Sequence, residues 1–307
     1  MASKQTKREL KEIGRLGGLS VKELAKRVWH EMSEDNVTGY AAQLAYYFLF
    51  SLFPFFLFLA ALLGYLPIPD LMEKIIAGLA AVVPGEAMKL VQGTVVELVT
   101  DQKASLLSFG ILVALWSASG AVSAITDSLN RAYGVRESRP FWKVRGIALA
   151  LTLALAALLI GAILLLMLGP TLGDWVAAKV GLSHAFEITW NIARWPLIVV
   201  MVIFAVALVY YYAPDVEQEW KWITPGSVFA VIGWMAVSAA FAFYVDNFGS
   251  YNKTYGSIGA VIVLLTWMYL TGLFLLLGGE INSEIEHAAA SGKSEGQKQI
   301  PAAKKRA

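Results

Sequence analysis

The sequence predicts an all-α fold, a polytopic membrane protein with six transmembrane helices and both termini in the cytoplasm. Of the 307 residues, 57% are hydrophobic and only 16% are charged, which is too apolar for a soluble protein with one core. Six apolar stretches also reach the length of about 20 residues that a helix needs to cross a bilayer. In chain order they are residues 41–66, 105–129, 146–169, 195–212, 222–245 and 256–279.

The distribution of Lys and Arg predicts the orientation. The N-terminal tail, the second and fourth connections and the C-terminal tail together hold nineteen of the 25 Lys and Arg residues, whereas the other three connections hold six. Because cytoplasmic segments of membrane proteins are enriched in Lys and Arg, we expect both termini on the cytoplasmic side of the membrane.

Residues 1–40 are expected to form a cytoplasmic tail that ends in an amphipathic helix on the membrane surface. Ser20 and Glu23 form a capping box, and apolar residues then recur at helical spacing at Val21, Leu24, Val28 and Met32. We interpret this helix as an anchor for the first span, and a lipid-sensing or gating role is the alternative.

The transmembrane domain is predicted over residues 41–285, with an extracytoplasmic helical hairpin at 67–104. Pro84 and Gly85 divide this long connection into two pieces that each have an apolar face and are too short to cross the membrane. The hairpin is expected to rest on the outer surface, and a re-entrant hairpin is the alternative. Residues 286–307, rich in Ser, Gly, Lys, Gln and Ala, are expected to be a disordered cytoplasmic tail.

Polar residues follow one face of the second span and recur in the first and last spans. In one interpretation they only let helices pack closely and exchange hydrogen bonds. In the other they line a polar path, because polar groups within spans usually face the protein interior or water. The candidate residues of this path are Gln43, Tyr47, Ser51, Ser119, Ser123, Asp127, Asn130, Tyr269 and Glu280.

Catalytic chemistry has little support in the sequence. There is no Cys, no Walker loop and no HExxH motif, and the three His residues are far apart in the chain. No charged residue falls at the middle of any predicted span, unlike the proton relays of pumps. We therefore expect no enzyme activity, no catalytic residues, no cofactor and no metal site.

Four segments together carry a family resemblance: AAQLAYYFLFSLFPFFLFLAALLG (41–64), WSASGAVSAITDSLNRAYGV (116–135), YYYAPDVEQEWKWITPGSVFA (210–230) and YGSIGAVIVLLTWMYLTGLFLLLGGEIN (255–282). The chain resembles the YihY/virulence factor BrkB family of bacterial inner-membrane proteins. The resemblance implies six transmembrane helices with both termini inside. Family members carry an old ribonuclease BN label, a link to resistance against serum killing, and descriptions as transporters tied to envelope lipids.

We reject the ribonuclease label, because metal-dependent RNA hydrolysis needs clustered His or carboxylate ligands that this sequence does not offer. Two classes of function remain. The preferred one is a passive or partner-driven transporter or flippase-like protein for an amphiphilic envelope substrate, and the alternative is a non-catalytic envelope scaffold or interaction protein. The expected partners are membrane lipids and not nucleic acid, since the net charge is only +2. A homo-oligomer and envelope protein partners both stay open.

Overall fold

The computed structural model describes residues 16–63, 104–180, 184–248, 257–289 and 292–299, with isolated residues 76, 77, 80 and 88. Over these residues the chain forms seven α-helices and no strand, which confirms the predicted all-α class for this part of the protein. The helices are α1 Val21–Glu34, α2 Val37–Leu63, α3 Ala104–Ala132, α4 Phe141–Val180, α5 His184–Tyr212, α6 Trp220–Phe248 and α7 Ser257–Ala288.

Four of these helices contain stretches long and apolar enough to cross a membrane: Phe141–Thr171, Ile188–Tyr212, Trp220–Val245 and Gly259–Ala288. Helices α2 and α3 coincide with the first two predicted spans and have 27 and 29 residues. The count of six spans and the orientation of the termini stay predictions. Apart from the isolated residues and Ala104, the predicted outer hairpin at 67–104 lies outside the described residues.

Helix α1 begins at the predicted capping box. The Ser20 hydroxyl accepts a hydrogen bond from the Glu23 backbone N–H at 3.2 Å. The apolar face of the helix buries Leu24 and Val28 against Trp222, Ile281 and Ile285, so that α1 packs on α7 and on the start of α6. Val21 and Trp29 remain exposed.

Helix α7 is the central element of the fold, because it packs against α1, α2, α3 and α6. At its crossing with α6, a Cβ atom on Gly226 or on Gly278 would overlap the backbone of the opposite helix. The Gly226 N–H donates to Asn282 Oδ1 at 2.7 Å, a bond that is possible because α6 and α7 lie so close together here. The buried cluster beside this crossing contains Leu44 of α2, Leu129 of α3, Tyr210 of α5, Ile223 of α6 and Leu276 of α7.

The chain after α7 folds back over the connections between helices. Disorder is the expectation for residues 286–307, yet the structure places 286–288 in α7 and gives 292–299 defined contacts. The Lys293 ammonium is fully buried and bonds to Glu286 Oε1 at 2.5 Å and to the Glu217 carbonyl at 2.6 Å. The Glu217 N–H in turn donates to the Lys298 carbonyl at 2.7 Å. A buried ion pair and backbone bonds therefore hold this segment.

Candidate functional site

Helix α3 has one open face along much of its length. Leu112, Trp116, Gly120, Ser123 and Asp127 follow each other three or four residues apart, which places them on one side of the helix. Leu112 is 66% exposed and Trp116 is 52% exposed, Asp127 is exposed, and a Cβ atom on Gly120 would meet no atom within 4 Å. The opposite face of α3 lies in the core. Among the described residues, no helix covers the open positions of this face at Leu112, Gly120 and Asp127.

Helix α2 runs antiparallel to α3 on one side of this face. The Ser51 hydroxyl donates to the Ser117 carbonyl at 3.3 Å, and the Arg131 guanidinium lies 4.8 Å from the centre of the Tyr40 ring. This register places Gln43 and Tyr47, both exposed, level with the turn from Ser123 to Asp127. Gln43, Tyr47 and Ser51 are thus near the α3 residues with which the sequence analysis grouped them.

Helix α4 flanks the same face and contributes an arginine to it. The Arg145 guanidinium stacks 3.9 Å from the centre of the Trp116 ring, its Nη1 donates to the Ser123 hydroxyl at 3.4 Å, and its Nη2 donates to the Trp116 carbonyl. Its Nε is enclosed and has no hydrogen-bond partner. Arg145 forms no ion pair with any Asp or Glu among the described residues. We call the open face of α3, together with Gln43, Tyr47 and Arg145, the α3 groove.

The hydroxyl groups of α3 mostly bond within their own helix. Ser119 donates to the Trp116 carbonyl at 2.7 Å, Ser123 to the Ser119 carbonyl at 3.1 Å and Thr126 to the Val122 carbonyl at 3.0 Å. These hydroxyls need no water or substrate to be satisfied, and the fully buried Ser119 is adequately explained by packing. Packing does not explain Gln43 and Asp127, which are exposed, or Arg145, which contacts Trp116 and Ser123 on the open face.

Asn130 lies outside the α3 groove, at the buried end of α3. Its Nδ2 donates to Glu137 Oε2 at 3.0 Å, and its Oδ1 accepts from the Asp215 N–H at 2.6 Å. Arg139 bonds to Glu137 Oε2 at 2.7 Å and to the Ala213 carbonyl at 2.7 Å. Asn130 therefore joins the connection between α3 and α4 to the connection between α5 and α6.

Asp215 joins the C-terminal segment to the same network. It accepts hydrogen bonds from the Ser138 N–H at 2.9 Å and the Ser138 hydroxyl at 2.6 Å, and it is paired with Lys298. Burial alone would raise the pKa of Asp215, but the bonds from Lys298 and Ser138 outweigh burial and lower the pKa. The pKa of Glu137 is lowered in the same way, because the bonds from Arg139 and Asn130 outweigh its burial.

An open cleft of about 660 Å³ lies beside this network. Its walls include Ser138, Arg139, Asp215, Lys298 and the aromatic end of α5 at Tyr211. Sequence reasoning missed this cleft because its residues come from two connections, the adjoining helix ends and the C-terminal segment, which are far apart in the chain.

Glu280 lies elsewhere, between α1 and α7. It is only 2% exposed and faces a cluster of carboxylates formed by Glu31, Asp35 and Glu284, of which Glu284 is paired with Arg27 at 3.5 Å. Burial, and then the negative charge of Glu284, raises the pKa of Glu31. Burial also raises the pKa of Asp35, although Arg131 opposes the shift. Among the described residues, no group of three His, Asp or Glu side chains is arranged to hold a metal ion.

Tyr269 of α7 is half-buried and contacts the core clusters around Leu44 and Met268. Of the nine residues predicted to form one path, the structure thus places Gln43, Tyr47, Ser51, Ser119, Ser123 and Asp127 around α3. Asn130, Glu280 and Tyr269 occupy three other environments. Arg145 belongs to the groove but is not among the residues predicted from the sequence. A positive charge four residues after Phe141, at the start of a long apolar helix, is the sequence feature that could have indicated it.

Over the described residues, long apolar helices with exposed apolar side chains are typical of a multi-pass, helical membrane protein. The chain belongs to the virulence factor BrkB family, whose pattern matches residues 28–303. The family resemblance seen in the sequence is thereby confirmed.

Curated relatives agree with this assignment. The chain is 41% identical over 243 residues to YfkH of Bacillus subtilis (strain 168), whose name describes it as ribonuclease-like, and the match covers 79% of this chain and 88% of YfkH. It is 24% identical over 269 residues to a UPF0761 membrane protein of Stenotrophomonas maltophilia (strain K279a), covering 84% of this chain and 59% of the relative. A UPF0761 membrane protein of Xanthomonas campestris pv. campestris (strain B100) is 26% identical over 267 residues, with the same coverages of 84% and 59%. The chain spans about three fifths of these two longer relatives, and no solved structure matches it.

Proposed function

We propose that this chain is a passive or partner-driven transporter or flippase-like protein that moves an amphiphilic envelope substrate along the α3 groove. The observation that carries the proposal is the open face of α3, onto which Arg145 projects from α4. In this proposal α2 and α3 cross the bacterial cytoplasmic membrane together with the four apolar helices, and both termini are cytoplasmic.

The groove suits a molecule with a polar head and apolar tails. Polar and charged groups are costly in hydrocarbon, so an open polar face within a bilayer is stabilised by water or by a polar part of a ligand. Helix α4 also exposes Leu153 and Leu159, which suit contact with acyl chains. A headgroup in the groove would contact its polar groups, and the tails in the adjacent lipid would contact the exposed apolar side chains of α4.

The proposed path differs from the one suggested by sequence patterns. That path used the first, second and last spans, whereas the groove is formed by α2, α3 and α4. Tyr269 and Glu280 of α7 are therefore assigned to packing and to the contact with α1. The absence of a Walker loop from the sequence is in keeping with a passive process or one driven by a partner.

The test is lipid movement in proteoliposomes. Headgroup-labelled lipid is quenched from outside, so quenching beyond half of the label reports movement across the bilayer. We expect such quenching with the native protein and not with protein-free liposomes. Gly120→Leu should abolish it, because the new side chain fills the groove at a position where it meets no neighbour.

Gly146→Leu is the matched control. Gly146 also has open space around a Cβ atom, but it shares the lipid-facing side of α4 with Leu153. This variant should keep the native rate. A well-folded native protein that moves no lipid, or a Gly120→Leu variant that moves lipid at the native rate, would contradict the proposal.

A non-catalytic scaffold or interaction protein is the second candidate. The open cleft between the connections and the C-terminal segment favours it, because such a surface can receive a partner protein. A scaffold should retain its cellular role after Gly120→Leu and lose it after a charge change at a cleft residue such as Lys298. A transporter should show the opposite sensitivity.

A further inference from the structure

We infer that Arg145 and Trp116 form a binding site for the phosphate of a lipid headgroup in the α3 groove. The inference rests on the proposed function only in placing the groove within the bilayer. It adds the chemical class of the ligand and the residues that contact it.

The charge of Arg145 favours an anionic ligand. Arg145 has no carboxylate partner among the described residues, and its enclosed Nε has no acceptor. A guanidinium stays protonated in proteins, and an unpaired, partly desolvated cation is costly in a membrane environment. A bound anion would offset this cost, whereas an uncharged headgroup would leave it.

The geometry of the Arg145 guanidinium favours a phosphate. Trp116 covers one face of the guanidinium, which fixes its plane through a cation–π contact. Nη1 and Nη2 each use one N–H for the Ser123 hydroxyl and the Trp116 carbonyl, so each has a second N–H for a phosphate oxygen. A fixed planar fork matches the oxygens of a phosphate better than a flexible ammonium does. The Ser123 hydroxyl helps to hold the fork in place through its bond with Nη1.

The surroundings of Trp116 leave room for a ligand to enter. Trp116 is about half exposed, and the missing side chain of Gly120 leaves free space one turn further along the same face. Exposed Asp127 lies one turn beyond Ser123 and adds a negative charge to that end of the groove. The site is therefore open sideways to lipid, and the carboxylate disfavours entry of a free, doubly charged phosphate from that end. Both features favour a lipid phosphate.

The test is retention of lipid by the purified full chain in an uncharged detergent, measured by native mass spectrometry. The probes are phosphatidylglycerol and a diacylglycerol with the same acyl chains, which lacks the phosphate. We expect the native protein to retain phosphatidylglycerol in preference to diacylglycerol. Equal retention of the two lipids by the native protein would overturn the inference without any variant.

Substitutions then locate the site. Arg145→Gln should weaken retention of phosphatidylglycerol about tenfold, the effect of losing one hydrogen-bonded charge contact. Arg145→Lys should weaken it less, because the charge stays and the stacked fork is lost. The matched control is Arg136→Gln, at an exposed arginine of the neighbouring connection, and it should retain the lipid as the native protein does. Native retention in Arg145→Gln would overturn the inference.

Inorganic phosphate distinguishes the two sources of a phosphate group. Displacement of the lipid by millimolar inorganic phosphate would assign the site to the free ion and overturn the lipid assignment. The assay does not depend on movement, so the two proposals fail separately. Retention that needs Arg145 without movement in proteoliposomes would keep this site and reject transport, and movement without such retention would do the reverse.

Discussion

At the residue scale, Gly226 and Gly278 set the distance between α6 and α7. A Cβ atom on Gly226 would overlap the Gly278 carbonyl and the Asn282 amide, so we expect Gly226→Ala to force the two helices apart. Overpacking of this kind costs about 1–3 kcal/mol in the free energy of unfolding. Thermal unfolding in detergent should show a lower Tm. Gly120→Ala, where a Cβ meets nothing, should leave the Tm unchanged or raise it, and equal losses in both variants would contradict the role of the crossing.

Lys293 is a second residue with a large expected effect. It is fully buried with Glu286, so Lys293→Met leaves a buried carboxylate without its cation. Breaking such a pair on one side costs about 3–5 kcal/mol, whereas replacing both partners by apolar residues is often neutral. We expect the single variant to release residues 292–299 and the double variant Glu286→Met/Lys293→Met to restore much of the order. Hydrogen exchange of this segment measures both, and similar exchange in native and single-variant protein would show that the pair does not hold it.

At the element scale, the contribution of the Asp215–Lys298 pair to the attachment of the C-terminal segment should depend on pH in one direction. The pKa of Asp215 is lowered in the folded protein, so the stabilisation from its pairing with Lys298 is present above the unfolded value of about 3.9 and is lost as pH falls through the folded pKa. We expect no release between pH 8 and 5 and release only below about pH 4.

A spin label on Ser294→Cys reports this release, because the residue is exposed and the chain has no other Cys. Its mobility should stay constant from pH 8 to 5 and rise in more acidic solution. In a second protein that also carries Asp215→Asn, the label should be more mobile at neutral pH and respond less to acid. A rise in mobility between pH 8 and 6 in the first protein would exclude Asp215 as the controlling group.

The helices themselves were largely predictable, because apolar length and a capping box are local properties of the sequence. Which helices pack against each other could not be predicted in this way. A helical wheel places Tyr269 and Glu280 on one face of α7, but it does not say that this face meets α1 and the core rather than α3. The third predicted span begins at residue 146 and leaves Arg145 in a connection, yet α4 begins at Phe141 and includes it. The pairing of Lys298 with Asp215 joins residues far apart in the chain, and no local pattern signals it.

At the scale of the whole molecule, the groove and the C-terminal segment have functional meaning only if the orientation is correct. The positive-inside distribution predicts cytoplasmic termini, which places Ser294 inside the cell and the exposed Thr171, at the far end of the α4 apolar stretch, outside. Because the native chain lacks Cys, Thr171→Cys and Ser294→Cys give two single-cysteine proteins.

A membrane-impermeant maleimide added to spheroplasts distinguishes the two sides of the membrane. Thr171→Cys should be labelled in intact spheroplasts, and Ser294→Cys only after the membrane is permeabilised. Each protein labelled after permeabilisation is its own control for reactivity. The reverse pattern would invert the molecule, so the end of the groove marked by Asp127 would open to the outer leaflet and the cleft beside Asp215 would face the cell exterior. Labelling of both positions in intact spheroplasts would place the two sites on one side and contradict an α4 that crosses the membrane with the C-terminal segment at its cytoplasmic end.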